Sequence, residues 1–253
     1  MHSTLVLHPN YEHLRSRLIE ILDDFHNTGE YVTKGERNVI KKVEEGAVVF
    51  NIKKFKTPSF FQGLVYQYLR KSKAKRSFEY ASQLIDFGIN TPFPVGYSET
   101  FSGGLKESFY ISLHMDYDLD FRVLIHNPKY PNRNEILKQF TAFCYKLHEN
   151  GVNFLDHSPG NTLIKERSDT SYDFYLIDLN RMKFESLDLD RRMHNLRRLW
   201  LSKTMIKVLA AGYSELSGNT YDEIHGLLTK YSRAFQKKVN SKKLRKRRRY
   251  FFK

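Results

Sequence analysis

Between Phe154 and Asn180 the chain reads "FLDHSPGNTLIKERSDTSYDFYLIDLN", and no other stretch constrains the fold as strongly. An apolar pair leads into Asp156, a Pro-Gly break follows, and Asn161 opens a second apolar run. "NTLIKE" and "DFYLIDL" flank the polar "RSDTSY", which is the pattern of a β-hairpin. A hairpin returns its second strand beside the start of its first. Asp178 is therefore expected near Asn161 and Asp156, although it lies far beyond them in sequence. Asp, Pro, Gly and Asn occur in turns for backbone reasons alone, so the turn by itself carries no chemistry. The convergence of three oxygen-bearing side chains does. Such oxygens suit Mg²⁺, a hard cation that commonly shares its ligands with substrate phosphates. Asp156 could also accept a proton from an attacking hydroxyl.

The first half supplies cations. "VVFNIKKF" places Lys53 and Lys54 on a predicted strand, and alternation points them to opposite faces. Only one can enter a cleft, and the pattern leaves open which. Around them, residues 31–56 read as two or three antiparallel strands punctuated by Gly35 and Gly46. "SFFQGLVYQYLRKSKAKRSFEYASQLIDFG" follows as one long helical stretch ending at Gly88. Within it Glu79 is the natural counter-charge for a strand lysine. Taken alone, it reads as a surface residue pairing with Lys75 one turn away. Residues 11–28 suggest an amphipathic helix, "INTPFPVGYSET" an extended segment and "SFYISLHM" a strand.

In the second half "NEILKQFTAFCYKLHENG" has apolar residues at helical spacing, and Cys144 falls on that apolar side as a packing residue. Residues 190–236 read as mainly helical. His114, His148 and His157 are scattered without metal-ligand spacing and read as structural or surface residues, with His157 adjoining Asp156. The whole pattern is α+β. A β-rich N-lobe with one long helix spans 1–115, a mainly helical C-lobe spans 116–236, and a basic tail spans 237–253.

The chain has 253 residues, enough for one large domain or two small lobes. A single cysteine excludes an internal disulfide, which fits a reducing cytoplasm. No window approaches 18 apolar residues, and the N-terminus has no signal-peptide pattern, so a cytoplasmic protein is expected. The net charge of +14 is concentrated: ten Lys and Arg residues and no acid lie between Lys237 and Lys253. A second cluster, "RKSKAKR", spans Arg70–Arg76. Such clusters attract phosphates.

Asp-x-x-x-x-Asn, a hairpin, then Asp after two apolar residues, with an upstream strand Lys and helix Glu, resembles the protein-kinase-like fold. "FLDHSPGNTLI", "LIDLNRM", "KKFKTP" and "RKSKAKRSFEYA" through "GINTPFPVGY" are most similar to the lipopolysaccharide-core kinases, the Kdo/heptose kinases of Gram-negative bacteria, especially their Bacteroidetes-type members. The resemblance runs from about Tyr31 to about Leu199. It implies a two-lobed kinase-like fold, ATP and Mg²⁺ as cofactors, and a lipid-linked sugar as acceptor. It also implies roles: Asp156 as catalytic base, Asn161 and Asp178 as metal ligands, Lys53 as the phosphate-binding lysine and Glu79 as its partner. A kinase for another small hydroxyl compound, as in the aminoglycoside-kinase branch, is the rival within the enzyme class. A non-catalytic pseudokinase is the rival outside it.

The chain departs from regulated protein kinases in several places. "KGERN" at 34–38 stands where a Gly-rich loop would be, and Phe154-Leu155 stands where a His-Arg pair would be. Leu-Asn follows Asp178 in place of Phe-Gly, and no Ala-Pro-Glu segment follows. None of these removes a group that phosphoryl transfer needs. Lys242–Lys253, with its terminal aromatics, could touch an anionic membrane at its inner face; a solvated end is the plain alternative, and nucleic acid is the disfavoured ligand for the same charge. No oligomeric state is implied.

Overall fold

A computed structural model describes residues 2–35, 38–168 and 170–251. The chain forms two compact units: Met1–Asp116 with Asp178–Asn180, and Tyr117–Ile177 with Arg181–Lys253.

The first unit is built on a six-stranded antiparallel sheet. In chain order it contains β1 (His2–Leu7), a 3₁₀ turn (Pro9–Leu14), α1 (Arg15–Asp23), β2 (Glu30–Lys34), β3 (Asn38–Glu45) and β4 (Val48–Phe55). Then come α2 (Phe60–Tyr68), α3 (Lys73–Asp86), β5 (Pro94–Phe101) and β6 (Leu105–Leu113). The strand order is β1-β5-β6-β4-β3-β2. The edge strand β1 pairs antiparallel with β5, an arrangement that no local pattern announces. Leu18, Ile21 and Leu22 of α1 join Phe50, Ile52, Val95 and Ile111 of the sheet in one buried cluster. Ala74 and Phe78 of α3 pack with Phe55 and Tyr97 in another. Lys41 is almost fully buried, but its ammonium donates to the carbonyls of His26 (2.8 Å) and Thr28 (2.9 Å). Buried charge persists when it is hydrogen-bonded in this way.

The single helix expected over 59–88 is in fact two. Ser72 is extended, and its hydroxyl accepts from the Lys75 N–H at 3.0 Å, so α3 starts afresh from a serine cap. Serine favours this position because its oxygen satisfies a backbone donor that has no partner within the helix. At the expected Gly-rich-loop substitute, 34–38, the Gly35 N–H donates to the Asn38 carbonyl. Glu36 and Arg37 lie outside the described residues.

The second unit is mainly helical. It contains β7 (Leu119–Asp120), α4 (Phe121–His126), α5 (Arg133–Glu149), β8 (Val152–Phe154) and a short 3₁₀ turn (Pro159–Asn161). β9 (Thr162–Ser168), β10 (Ser171–Leu176), β11 (Met182–Phe184) and α6 (Leu189–Asn195) follow. A 3₁₀ turn (Leu196–Leu199), α7 (Lys203–Ser217) and α8 (Tyr221–Phe251) complete it. β9 and β10 form the hairpin, with Thr162 opposite Leu176. Asp169, between β9 and β10 in sequence, lies outside the described residues. The core gathers Ile136, Leu137, Phe140 and Cys144 of α5 with Met205, Ile206 and Leu209 of α7 and Ile224 and Leu228 of α8. Cys144 is fully buried, and burial pushes its thiol well above the usual range. The basic stretch set apart in the sequence continues α8 as far as Phe251, and Phe252 and Lys253 lie outside the described residues.

Candidate active site

The turn that carries Asp156 is fixed by its backbone. β8 pairs antiparallel with β11, Phe154 opposite Met182, and the Leu155 N–H donates to the Arg181 carbonyl at 3.0 Å. Past Asp156 the chain folds back at once. The His157 N–H donates to Phe154, the Ser158 N–H to Asp156 and the Asn161 N–H to Ser158. Asn161 turns its side-chain amide inward and donates Nδ2–H to the Asp156 carbonyl at 2.9 Å. The turn thus brings Asp156 and Asn161 together. A Cβ at Gly160 would meet the Arg122 guanidinium, the end of a flexible, exposed side chain that would have to move aside.

A buried polar network supports this turn from below. Asn195 donates Nδ2–H to the Asn153 side-chain oxygen (2.8 Å) and to the Phe154 carbonyl (3.0 Å). Its Oδ1 faces a ring nitrogen of His157 and one of His148, each at 3.4 Å. His148 also bonds the Tyr213 hydroxyl at 2.9 Å. Both histidines are buried, and loss of water pulls His157 down to about 4 and His148 down to about 3. His157 is therefore a neutral packing group between Phe140 and Phe154, although it neighbours Asp156 in sequence.

The Asp156 carboxylate is held by two guanidiniums. Arg198 reaches one oxygen at 2.7 Å and Arg181 the other at 3.4 Å. The sequence gives no hint of either. Arg198 is one of a run of similar basic residues in "DRRMHNLRRLW", and only the fold selects it.

The strand lysine lies in the first unit together with Asp178. Lys53, nearly buried, donates from Nζ to Asp178 Oδ1 at 2.7 Å. Lys54 points to the other face, where it pairs with Glu107 and lies over the Phe25 and Phe109 rings. Asp178 adopts the left-handed region at φ 59, which is uncommon outside glycine and often marks a functional site. Asn180 Nδ2–H donates to the same Asp178 oxygen at 2.7 Å. The segment is tied to α3 by Arg76, whose guanidinium donates to the Asn180 carbonyl at 2.8 Å. Neither Asn180 nor Arg76 is singled out by sequence pattern. In the second unit the preceding residue, Ile177, donates its N–H to the Asn161 carbonyl at 3.0 Å.

Glu79 does not pair with Lys53. Its carboxylate accepts from Lys71 Nζ at 2.9 and 2.8 Å. This corrects both sequence readings, the pair with Lys53 and the pair with Lys75. The break before Ser72 sets Lys71 outside the helix, where its flexible stem can reach forward to Glu79.

In the first unit Asp178 is partly open to solvent. In the second, the Asn161 amide nitrogen is already engaged, which presents its Oδ1 as the acceptor. Each is an oxygen donor of the kind Mg²⁺ takes. Among the described residues no three His, Cys, Asp or Glu side chains cluster as a metal site. Mg²⁺ commonly takes one or two carboxylates and completes its shell with water and phosphate.

Residues 31–231 match the model of the "Lipopolysaccharide kinase (Kdo/WaaP) family". Comparison with curated proteins gives no match. Among solved structures, "WaaP in complex with acyl carrier protein" is similar at a TM-score of 0.65 with 18% sequence identity. The similarity covers 92% of this chain and 98% of that one, so the two share the kinase-like fold. On the family match, which takes in Lys53, Glu79, Asp156, Asn161 and Asp178, this chain belongs to the Kdo/WaaP lipopolysaccharide kinase family, a family of phosphotransferases.

Proposed function

We propose that this protein transfers the γ-phosphoryl group of ATP to a sugar hydroxyl of the lipopolysaccharide inner core, on Kdo or heptose. The observation that carries the reading is the turn in which Asp156 and Asn161 are locked together, within a chain of a kinase family. Asp156 orients the acceptor hydroxyl and takes its proton as the new P–O bond forms. Arg198 and Arg181 hold that carboxylate in one rotamer, so it is pre-positioned before the acceptor arrives. Lys53 binds the nucleotide's phosphates, exchanging part of its bond with Asp178 for phosphate oxygens. Asp178 and Asn161 would hold Mg²⁺, which when bound neutralises charge on the β- and γ-phosphates. Asn180 and Arg76 position Asp178.

The purified chain, incubated with Mg·ATP and Kdo-containing lipid A, should add one phosphate to the acceptor, read by mass spectrometry. The Asp156→Asn chain should not. Absence of transfer to Kdo, heptose and water-soluble core fragments alike, with ATP bound, would refute the reading.

The acceptor is lipid-linked, which places the reaction at the cytoplasmic face of a membrane. Among the described residues no helix is long and apolar enough to cross one. The exposed Lys242, Lys243, Arg245 and Arg247 at the end of α8 support an electrostatic contact with it. Replacing these four with Gln should weaken binding to anionic vesicles, most at low salt. Unchanged binding would remove the tail from this role.

A further inference from the structure

Helix α2 turns its apolar side outward. Phe60, Phe61, Val65, Tyr68 and the capping Leu69 are all exposed, with Phe61 at 79%, Tyr68 at 72% and Leu69 at 82%. At 3.6 residues per turn these five cover about half of the helix circumference. Gly63 lies on the opposite side. A Cβ there would stand 3.0 Å from the Leu105 carbonyl oxygen and 3.2 Å from the Leu105 nitrogen. The helix is thus pressed onto the start of β6 by its glycine side, and this seating fixes the aromatic side as the outer one. An ordinary surface helix does the reverse and buries its apolar stripe. Single exposed apolar residues are normal, but a contiguous set marks an interaction surface.

The sequence that flanks α2 is basic, and Glu79 of α3 engages Lys71. From Gly46 to Phe78 the chain has eight Lys and Arg residues and no Asp or Glu. Lys56 before the helix and Arg70 and Lys71 after it are exposed.

We propose that α2 is a membrane-docking helix. Phe60, Phe61, Val65, Tyr68 and Leu69 enter the boundary between headgroups and acyl chains of an anionic bilayer, and Lys56 and Arg70 meet its phosphates. The chemistry fits this occupant at both levels. Aromatic and aliphatic side chains on one helical side partition into the interface, while basic residues at the helix ends stay with the headgroups. A second copy of the chain fits poorly, because a self-complementary contact would set one acid-free basic stretch against another. The inference goes beyond phosphoryl transfer, since docking needs neither nucleotide nor acceptor.

The test is co-sedimentation of the full chain with vesicles of phosphatidylglycerol and phosphatidylcholine, and with phosphatidylcholine vesicles alone. The Phe61→Gln/Tyr68→Gln/Leu69→Gln chain should lose about tenfold or more in partitioning at both low and high salt. The Lys56→Gln/Arg70→Gln chain should lose less, and only at low salt on anionic vesicles. Melting temperatures should stay unchanged, because all five residues are exposed. If the triple variant unfolds, Phe61→Trp carries the test: its emission should shift to the blue and be quenched by brominated phospholipid, against the Trp200 background of the unmodified chain.

Vesicle binding by the triple variant equal to the original, no binding by the original, or an unmoved Phe61→Trp emission would overturn the proposal. So would a purified acyl carrier protein whose binding is abolished by the triple variant while vesicle binding persists, since α2 would then belong to a protein partner. A chain that docks normally but transfers no phosphate would refute the kinase reading and leave this one standing.

Discussion

The turn from Asn153 to Asn161 and the strand that carries Lys53 hold their polar groups by different means. In the turn, consecutive backbone N–H groups and the Asn161 amide close on neighbouring carbonyls within a few residues. Asp156 is placed by the backbone and then held from outside by Arg198 and Arg181. On the strand, the backbone fixes only which face Lys53 occupies. Its partner is chosen among flexible side chains, and it takes Asp178 while Glu79 goes to Lys71. Backbone turns specify one arrangement, whereas long charged side chains sample several partners of similar energy.

The largest expected effect lies in the backbone-fixed region. Asp156→Asn keeps the shape but can neither accept a proton nor pair with Arg198 as a charge. Turnover should fall about 10²–10⁴-fold while nucleotide affinity changes little. Near-normal turnover on the true acceptor would reduce the turn to a structural element and remove the contrast.

Next comes the strand lysine. Lys53→Met should lower nucleotide-dependent transfer by about 10²-fold, the usual scale for losing one preorganised charged donor. Lys54→Met should stay within a fewfold, because its partners Glu107, Phe25 and Phe109 lie on the other face. The reverse ranking in steady-state assays would shift the functional face of β4 by one residue.

A third effect concerns the network beneath the turn. His157 and His148 sit near 4 and 3 in the folded chain, below the unfolded value of 6.5. Between pH 6.5 and about 4 the unfolded chain therefore binds protons that the folded chain does not. Stability should be full above pH 6.5 and fall with acidification, by up to about 1.4 kcal/mol per pH unit for each histidine. Denaturant titrations at pH 7, 6 and 5 measure this. His157→Phe should flatten the dependence, and an unchanged slope would mean that the turn does not rest on a neutral histidine.

The smallest effect is at Glu79. Its bond to Lys71 is half-exposed, and such pairs contribute about 1 kcal/mol or less. Glu79→Gln should barely change the melting temperature. If it nevertheless lowers turnover as much as Lys53→Met, Glu79 exchanges Lys71 for Lys53 when nucleotide binds, and the static pairing is one of two states.

The sequence made legible what depends on short-range geometry. The hairpin, the Asp156–Asn161 turn, the opposite faces of Lys53 and Lys54 and the burial of Cys144 all follow from alternation, periodicity and turn chemistry. Its limits are physical as well. Ser72 could have been one more helical residue, and only its cap geometry divides the long helix in two. Arg198, Arg181, Asn195 and Arg76 act on the site through tertiary approach, and nothing in their neighbourhoods distinguishes them from other basic or amide residues. The left-handed Asp178 is likewise invisible in "LIDLN", because Asp tolerates that conformation without a glycine beside it.

Calorimetric titration of the Asp178→Asn chain tests the proposed role of Asp178 as a metal-dependent nucleotide ligand. Asparagine keeps the left-handed backbone and the side-chain shape but removes the charge. The titration is run with Mg·ATP and with ATP in a chelator, against the unmodified chain. The unmodified chain should bind Mg·ATP more tightly than ATP alone, and the substitution should abolish that difference while the melting transition stays cooperative. Equal Mg·ATP affinity in a folded Asp178→Asn chain would contradict the assignment of Asp178 as the metal ligand and, with it, the mechanism.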